Sequence, residues 1–235
     1  MVWTPFTVAA PAGLRLPGDV ITYGPGIADE STLKLFGDVS GKRVLDLGCG
    51  AGRNAVALAR AGARAIAVEP DDEQLAAARS FAEEADVRVE LQHSPLAELA
   101  FLRADTIDAV LSVYSLTTVE DIGRVFRQLH RVLRPEHPFV LSLPHPSFAL
   151  VDPGGEDPAR IVRSAFDDSP YGADDPRAGT WSRTLAQVFV ELSRAGFRVD
   201  NVFEPRGTND GSDHWTPVLE RVPPTLIVRA RKQGL

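Results

Sequence analysis

The nine residues Val44-Leu45-Asp46-Leu47-Gly48-Cys49-Gly50-Ala51-Gly52 constrain the fold of this chain more than any other stretch. A short apolar strand ends in a carboxylate and runs directly into a glycine-rich turn. Beyond the turn, Ala55, Leu58, Ala59 and Gly62 fall at i, i+3, i+4 and i+7, the apolar stripe of a helix. Strand, glycine turn and helix form the opening unit of a nucleotide-type α/β fold, in which backbone comes close to a ligand and a Cβ would obstruct it. The glycine register is informative in itself. A dinucleotide fingerprint requires G-x-G-x-x-G, and here the third glycine arrives one position early, with Arg53 where it should stand.

The pattern then repeats. Residues 1 to 39 form an arm punctuated by Pro and Gly that ends in a short helix around Asp29 to Phe36, and the first strand covers Arg43 to Leu47. Ala65 to Val68 is a second apolar run, stopped by Glu69-Pro70. Asp71 caps a helix through about Glu84, with acids in its first turn where the helix dipole favours them. Val87 to Leu91 alternates as a third strand. Ile107 to Val113 is a continuous apolar run, as expected of a central parallel strand covered on both faces. Ile122, Val125, Phe126, Leu129, Val132 and Leu133 keep helical spacing until Pro135 stops them, and Phe139 to Leu143 is a fifth strand. A loop rich in Pro, Gly and Asp runs from Pro144 to about Gly179; loops of that length are lids, binding loops or disordered. Leu185, Val188, Phe189 and Leu192 make another amphipathic helix, closed by Gly196, before two last strands at Val199 to Phe203 and Thr225 to Ala230.

Alternating strands and helices from 43 to 143 imply a parallel sheet with right-handed crossovers. The expected architecture is a Rossmann-like, doubly wound α/β sheet of about seven strands. Most are parallel, a final strand is antiparallel, and helices cover both faces. A single domain over 40–235 would carry the 1–39 arm and the 144–180 insertion as its lid.

Composition narrows the partners. A chain of 235 residues suffices for one domain with a sizeable core. Its formal net charge of −7 disfavours a nucleic acid or an anionic membrane as partner, since both demand a basic face. Arg124, Arg127, Arg131 and Arg134 cluster on what reads as a solvated helix face. One cysteine excludes an intrachain disulfide and a cysteine-built zinc site, and Cys49 supplies a small side chain inside the turn. No apolar run approaches the roughly 18 residues that span a bilayer, and no basic-then-apolar signal pattern opens the sequence. A cytoplasmic protein is expected.

The spacing D-x-G-x-G-x-G at Asp46 to Gly52 resembles motif I of the class I S-adenosylmethionine-dependent methyltransferases. The likeness runs from about Tyr23 to Arg231, is tightest between Val44 and Pro146, and is nearest the small-molecule branch called type 11 or ubiquinone/menaquinone-biosynthesis-like. It implies S-adenosylmethionine as cofactor and S-adenosylhomocysteine as product. It implies that the turn residues Gly48, Cys49, Gly50, Gly52 and Asn54 meet the cofactor, and that Asp46 lies near the methionine amino group. The helix opening near Arg53 offers free N–H groups to the methionine carboxylate. Glu69, followed by Pro70, stands where the family has the acid that binds both ribose hydroxyls, a task that suits two charge-assisted hydrogen bonds. Ser112, Val113 and Tyr114, with Ser115 and Leu116 after them, match the segment whose backbone lines the methionine portion, and Tyr23-Gly24 resembles an upstream tyrosine that closes over the cofactor. One motif departs. The family has Gly-Asp-Ala after the third strand, where its Asp meets the adenine amine, and this chain has Gln92-His93-Ser94-Pro95, leaving His93 or Ser94 to replace it.

Methyl transfer from a sulfonium to a neutral nucleophile destroys a positive charge, so an apolar pocket that holds the nucleophile near attack distance goes far without a catalytic residue. Where the acceptor is a hydroxyl or an acidic carbon, a general base helps. His145, just past the fifth strand, is the candidate, with completion of a turn between two prolines as its alternative role. Tyr171, Trp181, Arg183 and Trp215 are candidate lining of the acceptor pocket. Asp210, Asp213 and His214 lack a recognised metal-ligand spacing, and no metal is expected. The rival readings are a tRNA or protein methyltransferase, a non-catalytic protein that binds S-adenosylmethionine or S-adenosylhomocysteine, and an NAD-dependent oxidoreductase.

Overall fold

The computed structural model describes residues 18–151, 156–157, 160–167, 170, 180–208 and 217–234. Its frame is one seven-stranded sheet in the order β3-β2-β1-β4-β5-β7-β6. The strands are β1 Arg43–Leu47, β2 Arg64–Glu69, β3 Val89–His93, β4 Ala109–Val113, β5 Pro138–Pro144, β6 Phe197–Phe203 and β7 Thr225–Lys232. The first five are mutually parallel, and β7 runs antiparallel to both β5 and β6. The helices are α1 Glu30–Leu33, α2 Arg53–Arg60, α3 Asp72–Glu84, α4 Ile122–Val132 and α5 Leu185–Arg194.

Strand alternation divides the core. Leu45 and Leu47 of β1 face α4 and α5, packing with Phe126, Leu129, Phe139, Val188 and Leu192. Val44, on the opposite face, packs with Ala57 and Leu58 of α2 and with Ile21, Tyr23 and Phe36 of the N-terminal arm. Small residues let α2 and α3 approach one another, with Cys49, Ala55, Ala67 and Ala78 in contact. Helices α3, α4 and α5 each start at a side-chain cap. Asp71 accepts from the Gln74 N–H at 2.9 Å, Asp121 caps α4 in the same way through Arg124, and Thr184 and Gln187 form a reciprocal capping box on α5.

The structure corrects several expected boundaries. The first helix is one turn, Glu30–Leu33, ended by Lys34 in the left-handed region. Helix α2 stops at Arg60, so Gly62 lies beyond it in a turn at φ 85°. Strand β3 sits two residues later than its alternation suggested, because Val87 closes the turn after α3 by donating to the Ala82 carbonyl. Strand β7 extends to Lys232, and β6 begins at Phe197 with an irregularity at Asp200. There burial alone would raise the Asp200 carboxyl, but the guanidiniums of Arg229 and Arg231 outweigh it and hold it below the ordinary range.

Candidate cofactor and acceptor site

The sheet order reverses between β1 and β4, and open α/β sheets bind ligands outside the carboxyl ends of their strands at such a point. The glycine turn after β1 lies there. Gly48, Gly50 and Gly52 adopt φ of 72°, 52° and 78°, a conformation that any other residue would resist. Gly48 and Cys49 donate to the Val68 carbonyl at 2.7 and 3.1 Å, and Gly50 donates to Oε2 of Glu69 at 2.8 Å. Ser115 donates to the Leu47 carbonyl at 2.6 Å and lies 2.7 Å from the Ser112 hydroxyl, joining the ends of β1 and β4.

Two carboxylates stand at this turn. Asp46, 2% exposed, has no hydrogen-bond partner for Oδ2 among the described residues. Burial, and next the nearby Glu69 charge, push its pKa up to about 7, against a single lowering hydrogen bond from the Ala55 N–H. Glu69 ends β2, and its Oε1 accepts the Asp71 N–H at 3.1 Å. Burial raises its pKa, and the Gly50 and Asp71 N–H groups pull against that. The Cys49 thiol is raised well above its ordinary value by burial and by both carboxylates, which disfavours the thiolate.

The ends of the other strands complete the edge. Val113 is buried, and Tyr114 follows β4 in the left-handed region at φ 59°, its hydroxyl 2.6 Å from Thr225 Oγ1. His93 Nε2 lies 2.9 Å from the exposed Pro70's carbonyl, and Ser94 Oγ donates to the Glu98 carbonyl at 2.7 Å. His145 is 7% exposed. Its Nδ1 accepts the Ser147 N–H at 3.1 Å, so Nε2 carries the hydrogen and donates to Glu204 at 3.0 Å.

Comparison with known proteins bears on what this edge does. Residues 44–136 match the family model described as a methyltransferase domain. A ubiquinone biosynthesis O-methyltransferase of Azorhizobium caulinodans is 31% identical over 176 residues, which cover 71% of this chain and 64% of that relative. The chain thus spans less than two thirds of that relative's length. A solved S-adenosylmethionine dependent methyltransferase from Mesorhizobium loti is 26% identical, with a TM-score of 0.68 over 84% of this chain and 94% of the other. A putative S-adenosylmethionine dependent methyltransferase from Listeria monocytogenes shares the fold at 23% identity, with a TM-score of 0.70 over 86% and 94%.

Residues 44–136 match a methyltransferase domain, and the fold around them is that of the solved S-adenosylmethionine-dependent methyltransferases. Set against the methyltransferase expectation, the structure gathers Asp46, Gly48, Cys49, Gly50, Gly52, Glu69 and Pro70 around one turn, with Ser112, Val113 and Tyr114 across it. At Gly48 and Gly52 protein neighbours also require glycine: a Cβ would come within 2.2 Å of Ser115 Cβ and 2.7 Å of Ala78 Cβ respectively. Two other residues are placed differently from expectation. Asn54 is buried and spends its amide on the arm, accepting the Thr22 N–H at 2.9 Å and donating to the Thr22 carbonyl at 3.0 Å. Tyr23 is fully buried, stacks on Phe36 and donates its hydroxyl to Glu30, so it serves the core of the arm rather than closing over a ligand.

The acceptor half also differs from expectation. With both ring nitrogens engaged, His145 holds a turn and has no free lone pair for a proton. Trp181 and Arg183 line a groove of about 640 Å³ between α4 and α5. The Arg183 guanidinium is spent on the carbonyls of Leu116, Val119 and Glu120, and burial lowers its pKa to about 10. Tyr171, Trp215, Asp210, Asp213 and His214 lie outside the described residues. Sequence reasoning passed over Thr22 and Glu204, and nothing in the sequence links Glu204 to a histidine 59 positions away.

Proposed function

We propose that the protein, acting in the cytoplasm, transfers the methyl group of S-adenosylmethionine to a small-molecule acceptor by in-line displacement. The observation that carries this reading is the Asp46 carboxylate, buried at the glycine turn with one oxygen unpartnered among the described residues. A second carboxylate, Glu69, stands beside it. Two acids at the turn suit a ligand bearing an ammonium and a sulfonium, and oppose the pyrophosphate of a dinucleotide.

The residues present fit that cofactor. The free Asp46 oxygen suits the ammonium, and the first N–H groups of α2 suit the carboxylate. Each Glu69 oxygen accepts one backbone N–H and keeps a lone pair for a ribose hydroxyl. The cofactor, when bound, supplies an electrophilic methyl group on a cationic sulfur. The chain's own contribution is to hold the acceptor in line and exclude water, with Val113 and Tyr114 of the β4 end as apolar wall. Net charge of −7 and the likeness to an O-methyltransferase of ubiquinone biosynthesis support a small acceptor over a nucleic acid.

The test is calorimetric titration with S-adenosylmethionine, S-adenosylhomocysteine and NADH, followed by incubation of a small-molecule panel with labelled methyl donor. Binding of both adenosyl-sulfur compounds, none of NADH, and label in a small acceptor are expected. Binding of NADH alone, or label entering only RNA or protein, overturns the reading.

A further inference from the structure

The acid that the family places after its third strand is missing, and strand register indicates what replaces it. Glu69 and His93 are Cα partners on the neighbouring parallel strands β2 and β3. Partners in register send their side chains to the same face of a sheet. On the inner side of Glu69 lie β1, the glycine turn and Asp46. A ligand whose ribose rests on Glu69 and whose amino acid end lies at that turn therefore carries its base outward, beside His93.

Hydrogen bonding orients the ring there. The Pro70 carbonyl at 2.9 Å only accepts, so Nε2 carries a hydrogen, and wherever Nδ1 carries none it presents a lone pair. Nδ1 faces a second acceptor, Oδ1 of Asp72 on the first turn of α3, at 3.5 Å. Two acceptors this close, with no hydrogen of their own between them, suit a donor that brings two. An exocyclic amine is such a donor. The Ser94 hydroxyl is already committed to Glu98, and the Ser94 N–H donates to the Glu69 carbonyl at 3.3 Å. Glu69 is the other charged group whose field His93 shares.

We propose that His93, with Asp72 beside it, reads the exocyclic amine of adenine and so takes over the task of the missing acid. This rests on the S-adenosylmethionine reading above and adds a specificity residue to it. The test is calorimetric titration of the wild type, His93→Ala, His93→Asp and Asp72→Asn. The ligands are S-adenosylhomocysteine and its hypoxanthine analogue, in which a carbonyl replaces the amine. The wild type is expected to favour the adenine compound by roughly tenfold, the scale of one unmade hydrogen bond. In His93→Ala the preference falls to within about twofold, in His93→Asp a carboxylate restores it, and Asp72→Asn narrows it part-way. A purely structural role for His93 changes both affinities together and leaves their ratio alone.

An unchanged ratio in His93→Ala overturns the inference and leaves the cofactor reading standing. A wild-type preference for hypoxanthine does the same, since it means a doubly protonated ring paired with Asp72 donates where it was argued to accept. Failure of the wild type to bind either compound removes the cofactor reading itself, and this inference with it.

Discussion

A carboxylate cut off from water, with one oxygen unpaired, is costly to keep ionised, and Asp46 carries that cost at the centre of the site. Its pKa stands at about 7 against an ordinary 3.8. Between these values the folded protein holds a proton that the unfolded chain has lost, so this group makes stability fall as pH rises from about 4 to 7. Above pH 7 the full penalty stands. Asp46→Asn is therefore expected to be more stable than wild type at pH 8 by on the order of 2–4 kcal/mol, the gap closing towards pH 4. Thermal unfolding at pH 8 and pH 4.5 checks this, and equal stabilities at pH 8 would sink it. The same proton governs ligand binding. A cation needs the ionised form, so wild-type affinity for S-adenosylmethionine should drop about tenfold per pH unit below 7, with proton uptake or release detectable by calorimetry in buffers of different ionisation enthalpy. Glu69 acts differently, since it also anchors the turn. Glu69→Ala should lose about 1–3 kcal/mol of cofactor binding, and Glu69→Gln, which keeps an acceptor for the Gly50 N–H, separates that loss from damage to the turn. Unchanged binding in both variants would remove Glu69 from the ribose site.

Among elements, the unit of β1, turn and α2 is held as much by its neighbours as by its own sequence. Gly52 meets α3 so closely that an added Cβ would lie 2.7 Å from Ala78 Cβ and 3.0 Å from its Cα, at a φ of 78° besides. Gly52→Ala is expected to cost about 1–3 kcal/mol of stability by crowding and backbone strain together, read by denaturant unfolding. A neutral outcome would mean that the two helices can part freely. Asn54 ties α2 to the arm through both the N–H and the carbonyl of Thr22. Asn54→Ala leaves those groups unpaired, and limited proteolysis should then cut the arm near Tyr23 well before the sheet. Motif spacing made the unit itself legible, because few other folds need a strand, three glycines and an apolar stripe in that order. The glycines' reason was not legible, since it depends on Ser115 and Ala78, which lie far away in the sequence. Nor was the start of β3: Val87, Val89 and Leu91 alternate equally well from either end, and only pairing with β2 selects Val89–His93.

At the scale of the molecule, the sheet divides into two halves about the junction of β1 and β4. The half made by β3, β2 and β1 carries Asp46, Glu69 and His93. The half made by β5, β7 and β6 carries His145 and Glu204, with Thr225 bonded across to Tyr114. A mostly parallel sheet with an antiparallel end is legible in the sequence, but its strand order and the side-chain pairs that cross between distant strands are not. His145 is the clearest instance. As a lone histidine beyond a strand it reads as a base, whereas in the fold its ring joins the Ser147 backbone to Glu204 on the far side of β7. If the halves are energetically separate, His145→Ala should cost about 1–3 kcal/mol of stability by leaving the Ser147 N–H and the Glu204 carboxylate without their partner. It should leave the affinity for S-adenosylhomocysteine within about twofold of wild type, because sites that share no partners are close to additive. Unfolding and titration of the same variant measure both quantities. A tenfold loss of S-adenosylhomocysteine binding in a folded His145→Ala protein would mean that the histidine reaches the cofactor half, and the division drawn at β4 would have to move.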